Sequence, residues 1–259
     1  MQYVFVAWTV AAAILVIAMA AAGRTSSGSY LGILRDGRGR YSLSRFQVLL
    51  WTTVVLSLLA AVFVARLIDG TRNNALDIQI PQTVLLVLGV SVGSTVTAGA
   101  IKAGKDNQDQ TSVAASTATD PARFGQVVLI EEGEMADEAV DVTKFQSLWI
   151  TLILVAAYIA MAVSWIRGAE SATQLGTLPD LTGGLVTLLA ISHAGYLAGK
   201  LPNRVGVPDG ALLLDLTDPQ RAETLREQGR LKPFVPRNKA ARTSQVNSLT
   251  DPVNPASVP

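Results

Sequence analysis

Phe46-Gln47-Val48-Leu49-Leu50-Trp51-Thr52-Thr53-Val54-Val55-Leu56-Ser57-Leu58-Leu59-Ala60-Ala61-Val62-Phe63-Val64-Ala65 runs for twenty residues without Asp, Glu, Lys or Arg. A helix of about 20 apolar residues is what crosses a hydrocarbon core ~30 Å thick. Four further runs, Tyr3 to Ala22, Ile78 to Ile101, Phe145 to Ile166 and Leu181 to Gly199, are equally free of charge. Lipid cannot satisfy backbone polar groups, so such runs predict helices, and the alternation a barrel requires is absent. Five of them are more than the rest of the chain could cover in water. The sequence predicts an all-α integral membrane protein with five transmembrane helices.

Composition agrees. Of 259 residues, 49% are hydrophobic and 16% charged, against a charged share of roughly 25% in ordinary soluble domains. With no cysteine and one histidine, disulfides, thiolate catalysis, iron–sulfur clusters and zinc sites built on Cys fall away, and an imidazole metal site loses its ligands. No cofactor and no metal are expected.

The charges point the chain. Segments 24–45, 102–144 and 200–259 hold 18 Lys and Arg residues, against 3 in the N-terminus and the 66–80 and 167–180 turns. The positive-inside rule places the first group in the cytoplasm. The expectation is a bacterial plasma (inner) membrane protein, multi-pass, with its N-terminus outside and its C-terminal tail cytoplasmic. Met19 to Ala22 would suit a signal-peptide cleavage site. Met1-Gln2-Tyr3 lacks the positive charge that precedes a signal core, however, and Arg24 follows it, so the first span is expected to be an uncleaved anchor.

An internal repeat follows from the helix starts. Ser44-Arg45-Phe46-Gln47 matches Thr143-Lys144-Phe145-Gln146, with Trp51 and Trp149 close behind. Arg45, Trp51, Lys144 and Trp149 read as membrane-interface anchors, basic residues at the phosphate level and aromatics at the boundary. Leu88-Gly89-Val90-Ser91 matches Leu189-Ala190-Ile191-Ser192, followed by Lys102 or Lys200. This predicts two tandem helical hairpins in parallel repeat, with the third and fifth helices together at the centre. The organisation expected is an anchor over 1–23, a first hairpin over 24–105 and a linker over 106–142, partly disordered and acidic. A second hairpin over 143–201 and a mostly disordered cytoplasmic tail over 202–259 complete it.

The central helices carry small residues at spacing four: Gly89, Gly93 and Thr97 on one face, Ser91, Thr95 and Gly99 on another. In the fifth span Ala190, Ala194 and Ala198 repeat the spacing, beside Ser192, His193, Gly195 and Gly199. Such faces let helix backbones approach closely, or line a pore.

The paired motifs, Tyr41-Ser42-Leu43-Ser44-Arg45-Phe46-Gln47 with Trp51, then Leu-Gly-Val-Ser, Phe-Gln with Trp, and Leu188 to Lys200, resemble a family of uncharacterised bacterial multi-pass membrane proteins. The resemblance covers about residues 41–201. It implies a membrane fold and no particular activity, and in that family a small hydroxyl residue or Gly takes the place of His193.

Three chemical readings fit these residues. Ser91 in Gly89-Val90-Ser91-Val92-Gly93 and His193 in His193-Ala194-Gly195 resemble the two halves of a rhomboid protease, in which a dyad needs the imidazole to reach the hydroxyl. The serine motif has one residue too many before its second Gly, and the histidine motif one too few. His193 is also the only ionisable group within a span other than tyrosine, and so a candidate proton gate. Packing explains Ser91, Ser192 and His193 without either.

The soluble parts are short. Residues 106–120 are too polar to form a core. Phe124 to Ile130 is an apolar patch for the membrane surface, and the acidic run Glu131 to Asp141 reads as a solvated face, because it lacks the ligand pattern of an EF-hand. Asp218 to Gly229 reads as a short helix, with Pro219 at its first position. Lys232, Arg237, Lys239 and Arg242 suit anionic headgroups, and lack the aromatic interleaving of a nucleic-acid binder. The function expected is that of a non-enzymatic scaffold or assembly subunit. Its partners would be the lipid bilayer and either further copies of the chain or another membrane protein, with no nucleic acid. The alternatives are a homo-oligomeric channel and, more remotely, an intramembrane serine protease.

Overall fold

A computed structural model describes residues 1–70, 74–106, 122–133 and 136–202. Asp218 to Gly229, the basic residues from Lys232 to Arg242, the chain's last nine residues and most of the polar linker lie outside the described residues.

Five α-helices carry the fold: α1 (Gln2–Ser27), α2 (Leu43–Ile68), α3 (Gln82–Asp106), α4 (Val142–Gly168) and α5 (Gly183–Ala198). Short 3-10 turns lie at Gly32–Leu34, Phe124–Val127 and Ala172–Gln174. Among the described residues there is no strand beyond isolated bridges. Four helices, α1 to α4, are long and apolar enough to cross a membrane. At 1.5 Å per residue the 26 residues of α2 rise about 39 Å, more than a ~30 Å core. The fifth apolar run forms a helix of 16 residues, rising about 24 Å. It is shorter than the run because Thr182 at its start and Gly199 at its end fall outside the helix.

The arrangement inverts a soluble protein. Val10, Ile14 and Ile17 on α1, Val92 and Val96 on α3 and Ile153 on α4 all face outward. Water tolerates no apolar surface of that extent, and lipid does. Inside, α2 packs on α3 and α4, and α5 on α3 and α4, so four helices close a ring, while α1 lies against α2. Trp51 meets Tyr158 edge to face at 6.0 Å, with Leu58, Val62 and Leu154 around them. Gln47, fully buried, donates from Nε2 to Ser147 O and Oγ and to Thr151 Oγ1 at 3.1, 3.0 and 2.8 Å, tying α2 to α4. Trp8 Nε1 donates to Ser57 Oγ at 3.0 Å and does the same for α1 and α2.

The loops gather at two ends. At one, Asp69 accepts from Tyr3 OH and from Ala172 N, both at 2.8 Å. These donors hold its carboxyl below the usual range, the Ala172 N–H most strongly. The two turns of this end pair through Gln79 N to Gly176 O and Leu178 N to Gln79 O. At the other end lie the starts of α2 and α4 and the last turns of α3 and α5. Gly28 ends α1 with a left-handed φ of 71°. A Cβ on Gly23 would stand 2.7 Å from Tyr30 O, so the returning chain lies directly on the helix there.

Candidate functional site

The end that holds the starts of α2 and α4 is built around one carboxylate. Phe124 packs on Tyr41 and Phe46 at centroid distances of 6.4 and 6.0 Å. Val127 and Ile130 are buried, and Leu129 bridges Val140. The chain is thereby folded across the bundle, and Glu131 is carried into it. Its Oε1 lies 2.6 Å from Lys144 Nζ and 3.0 Å from Lys200 Nζ, and its Oε2 lies 2.7 Å from Lys102 Nζ and 3.8 Å from an Arg38 nitrogen. The ends of α3, α4 and α5 therefore meet on one side chain.

A second ring surrounds it. Glu132 pairs with Lys105 at 2.7 Å and Arg38 at 3.3 Å, and Lys105 also donates to Pro202 O at 2.7 Å. Asp36 receives Lys102 at 2.5 Å and the backbone N–H groups of Arg38 and Arg40. Arg40 pairs with Asp137, which adopts a left-handed φ of 68°. Glu131 is 6% exposed and Glu132 9%. Burial by itself raises a carboxyl, but the fields of Lys144, Lys200 and Lys102 outweigh it and hold Glu131 well below its ordinary value of 4.5.

For Glu131, Glu132 and Asp137 this corrects the reading of Glu131 to Asp141 as a solvated face, while Glu138 is exposed. A charged run is solvated unless the fold brings counter-charge to it, and here Lys102, Lys105, Lys144 and Lys200 arrive from helix ends and Arg38 from the loop before α2. The apolar patch Phe124 to Ile130 likewise packs partly inward. Lys144, expected as an interface anchor, is only 2% exposed, because the 128–133 strap covers its ammonium and supplies Leu129 O and Glu131. Trp51, expected at the boundary, is fully buried, whereas Trp149 is 51% exposed and meets Phe145 edge to face. The aligned starts put Trp149 one position earlier than Trp51, and one residue turns a helical side chain by about 100°.

The other candidates divide by face. Ser91, Ser192 and His193 are buried, and among the described residues the Ser91 hydroxyl and both His193 ring nitrogens make no hydrogen bond, so the two residues are not bonded to each other. Gly89, Gly93, Thr97 and Gly195 face outward, and a Cβ on any of these three glycines would meet nothing within 4 Å. Gly199 sits close to Thr143, whose Oγ1 would lie 3.3 Å from an added Cβ. Thr95 donates to Ser44 O at 3.0 Å. With Gly99, Arg45 and Lys102 it lines a cavity of about 180 Å³ between residues 36–38, the first turn of α2 and the end of α3. No cluster of metal-ligating side chains occurs among the described residues.

No family model, curated protein or solved structure matches the chain, so the family resemblance of its motifs stands on those residues alone.

Proposed function

We propose that the chain is a non-enzymatic polytopic membrane protein acting as a scaffold or as a subunit of a membrane assembly. The observation that carries this is the outward face of α3, where Gly89, Gly93 and Thr97 stand exposed with open space over both glycines. In lipid such a face gains by taking another helix at close range, through van der Waals contact that bulky side chains would prevent. The partner is a further copy of the chain or another membrane protein. The protein sits in a bacterial plasma membrane with α1 to α5 inserted as two hairpins and an anchor, the N-terminus outside. The bias of 18 against 3 basic residues supports that direction.

The pore reading has less behind it. Ser91, Ser192 and His193 point into a single bundle, whereas a pore between copies needs them on an outer face. A protease dyad needs a hydrogen bond between Ser91 and His193, and among the described residues neither group makes one. The mass of the protein in nanodiscs tests the proposal. It should exceed that of one chain, or copurify with a second membrane protein, and Gly93→Leu should return it to one chain. A lone monomer with no partner, unchanged by Gly93→Leu, would remove the argument.

A further inference from the structure

The cavity beside the ion cluster has the chemistry of an anion site. Three cations line it: Lys102 from the end of α3, Arg38 from the 36–40 loop and Arg45 from the first turn of α2. Asp36 is the carboxylate among the lining residues, while Lys102 also pairs with Glu131, and Arg38 with Glu131 and Glu132, on the far side. Ser42, Ser44 and Thr95 add hydroxyls. The start of α2 opens on it, and its N-cap, Ser42, makes no side-chain bond to a backbone N–H of the first turn, which leaves the positive end of the helix without a side-chain cap.

The size fits. A water molecule needs roughly 10–15 Å³ of such space, and about 180 Å³ is available here. The space between Glu131, Asp141, Lys144 and Lys200, where the chain supplies its own carboxylates, amounts to about 20 Å³. Arg45 is exposed, and its one side-chain hydrogen bond among the described residues, to Ile33 O, is long at 3.4 Å. Its guanidinium can therefore turn to an oxyanion at little cost.

One side of the cavity is formed by Gly99 and Ala103, both outward-facing, and Val96 and Val92 continue from it down the apolar face of α3. A phosphate group in the cavity would thus have hydrocarbon directly below it. We propose that this cavity binds a phosphate monoester or diester, held by Arg45, Lys102 and Arg38 and by the first turn of α2. A phospholipid headgroup and a free phosphate share that chemistry.

The lipid arm of the test rests on the membrane reading above, and the free-phosphate arm does not. Full-length protein in phosphatidylcholine nanodiscs containing phosphatidylglycerol is released into a native mass spectrometer, beside Arg45→Ala and, as a same-end control outside the cavity, Arg24→Ala. Retained phosphatidylglycerol should fall about tenfold in Arg45→Ala, the worth of one charge-assisted contact, and stay level in Arg24→Ala. In the second arm inorganic phosphate is titrated into pure phosphatidylcholine nanodiscs by calorimetry. Heat that vanishes in Arg45→Ala assigns the site to free phosphate instead. Ser42→Asp, which places a carboxylate in the cavity, should abolish binding in whichever arm shows it, with melting temperatures confirming that each variant is folded. Equal losses in Arg45→Ala and Arg24→Ala, or no Arg45-dependent binding in either arm, would overturn the proposal.

Discussion

The starts of α2 and α4 share a motif and end in opposite surroundings. Each begins one residue after its cap, Ser42 or Asp141, and each carries a basic residue three positions from that cap, Arg45 or Lys144. At α4, Asp141 accepts from the N–H groups of Thr143 and Lys144, and Lys144 is sealed against Glu131. At α2, Ser42 bonds only sideways to Ser44, and Arg45 faces out over a cavity. A shared motif sets where a helix begins, and the packing of its neighbours sets which way its third residue points.

The sharpest way to break this contrast is to remove the carboxylate on which α3, α4 and α5 converge. Glu131→Gln leaves the ammonium groups of Lys102, Lys144 and Lys200 buried with less counter-charge, and breaking a buried pair costs about 3–5 kcal/mol. Unfolding in graded SDS micelles should show that loss, whereas Arg45→Ala should change stability by no more than ~0.5 kcal/mol. Acid should act in the same direction. Because the folded carboxyl of Glu131 lies well below 4.5, its contribution is complete above that value and is lost as pH falls through the lower, folded one. Thermal melts should therefore hold from pH 7 to pH 5 and drop only in stronger acid, and the drop should be smaller in Glu131→Gln.

The caps give a smaller effect. Asp141→Ala should cost about 1 kcal/mol, the usual worth of a capping side chain. Ser42→Ala should cost well under that, since no cap bond is there to lose. Equal costs, read from the same SDS titrations, would erase the distinction between the two helix starts. The smallest effect expected is at Trp149. Replacing this outward-facing residue by Leu should leave unfolding within ~0.5 kcal/mol, while Trp51→Leu opens a gap against Tyr158 and should cost clearly more.

Much of the fold was legible because lipid imposes a coarse rule. Among the described residues every helix of eight residues or more falls on a charge-free run, and the ends of α2 and α4 lie within about a turn of Arg45, Arg66, Lys144 and Arg167. Helix phase was less legible. Ser44, Gln47, Trp51, Val54, Val55, Leu58 and Val62 are buried, and so are Lys144, Ser147, Thr151, Leu154, Val155, Tyr158 and Ala162. The two sets stand 100 residues apart, whereas the motifs align 99 apart. That single residue turns Lys144 inward and Trp149 outward. A like shift separates α3 from α5: Val84, Val87 and Ser91 match Val186, Leu189 and His193 in burial, 102 residues apart, where the motif pairs Ser91 with Ser192, 101 apart. The ion cluster was hidden for a related reason. Glu131 and Glu132 were visible as acids and the helix-end lysines as bases on the same side. Only the strap held by Phe124, Val127 and Ile130 brings them together, and those residues read equally well as a membrane-surface patch.

The most direct test of the central claim, that Glu131 is the charge on which the helix ends converge, is a double-mutant cycle between Glu131→Gln and Lys144→Met, measured by unfolding in SDS micelles. The account predicts a coupling of about 0.5–3 kcal/mol, with the double variant more stable than the separate losses imply. Losses that add to within ~0.3–0.5 kcal/mol would mean that the two groups do not share a buried site.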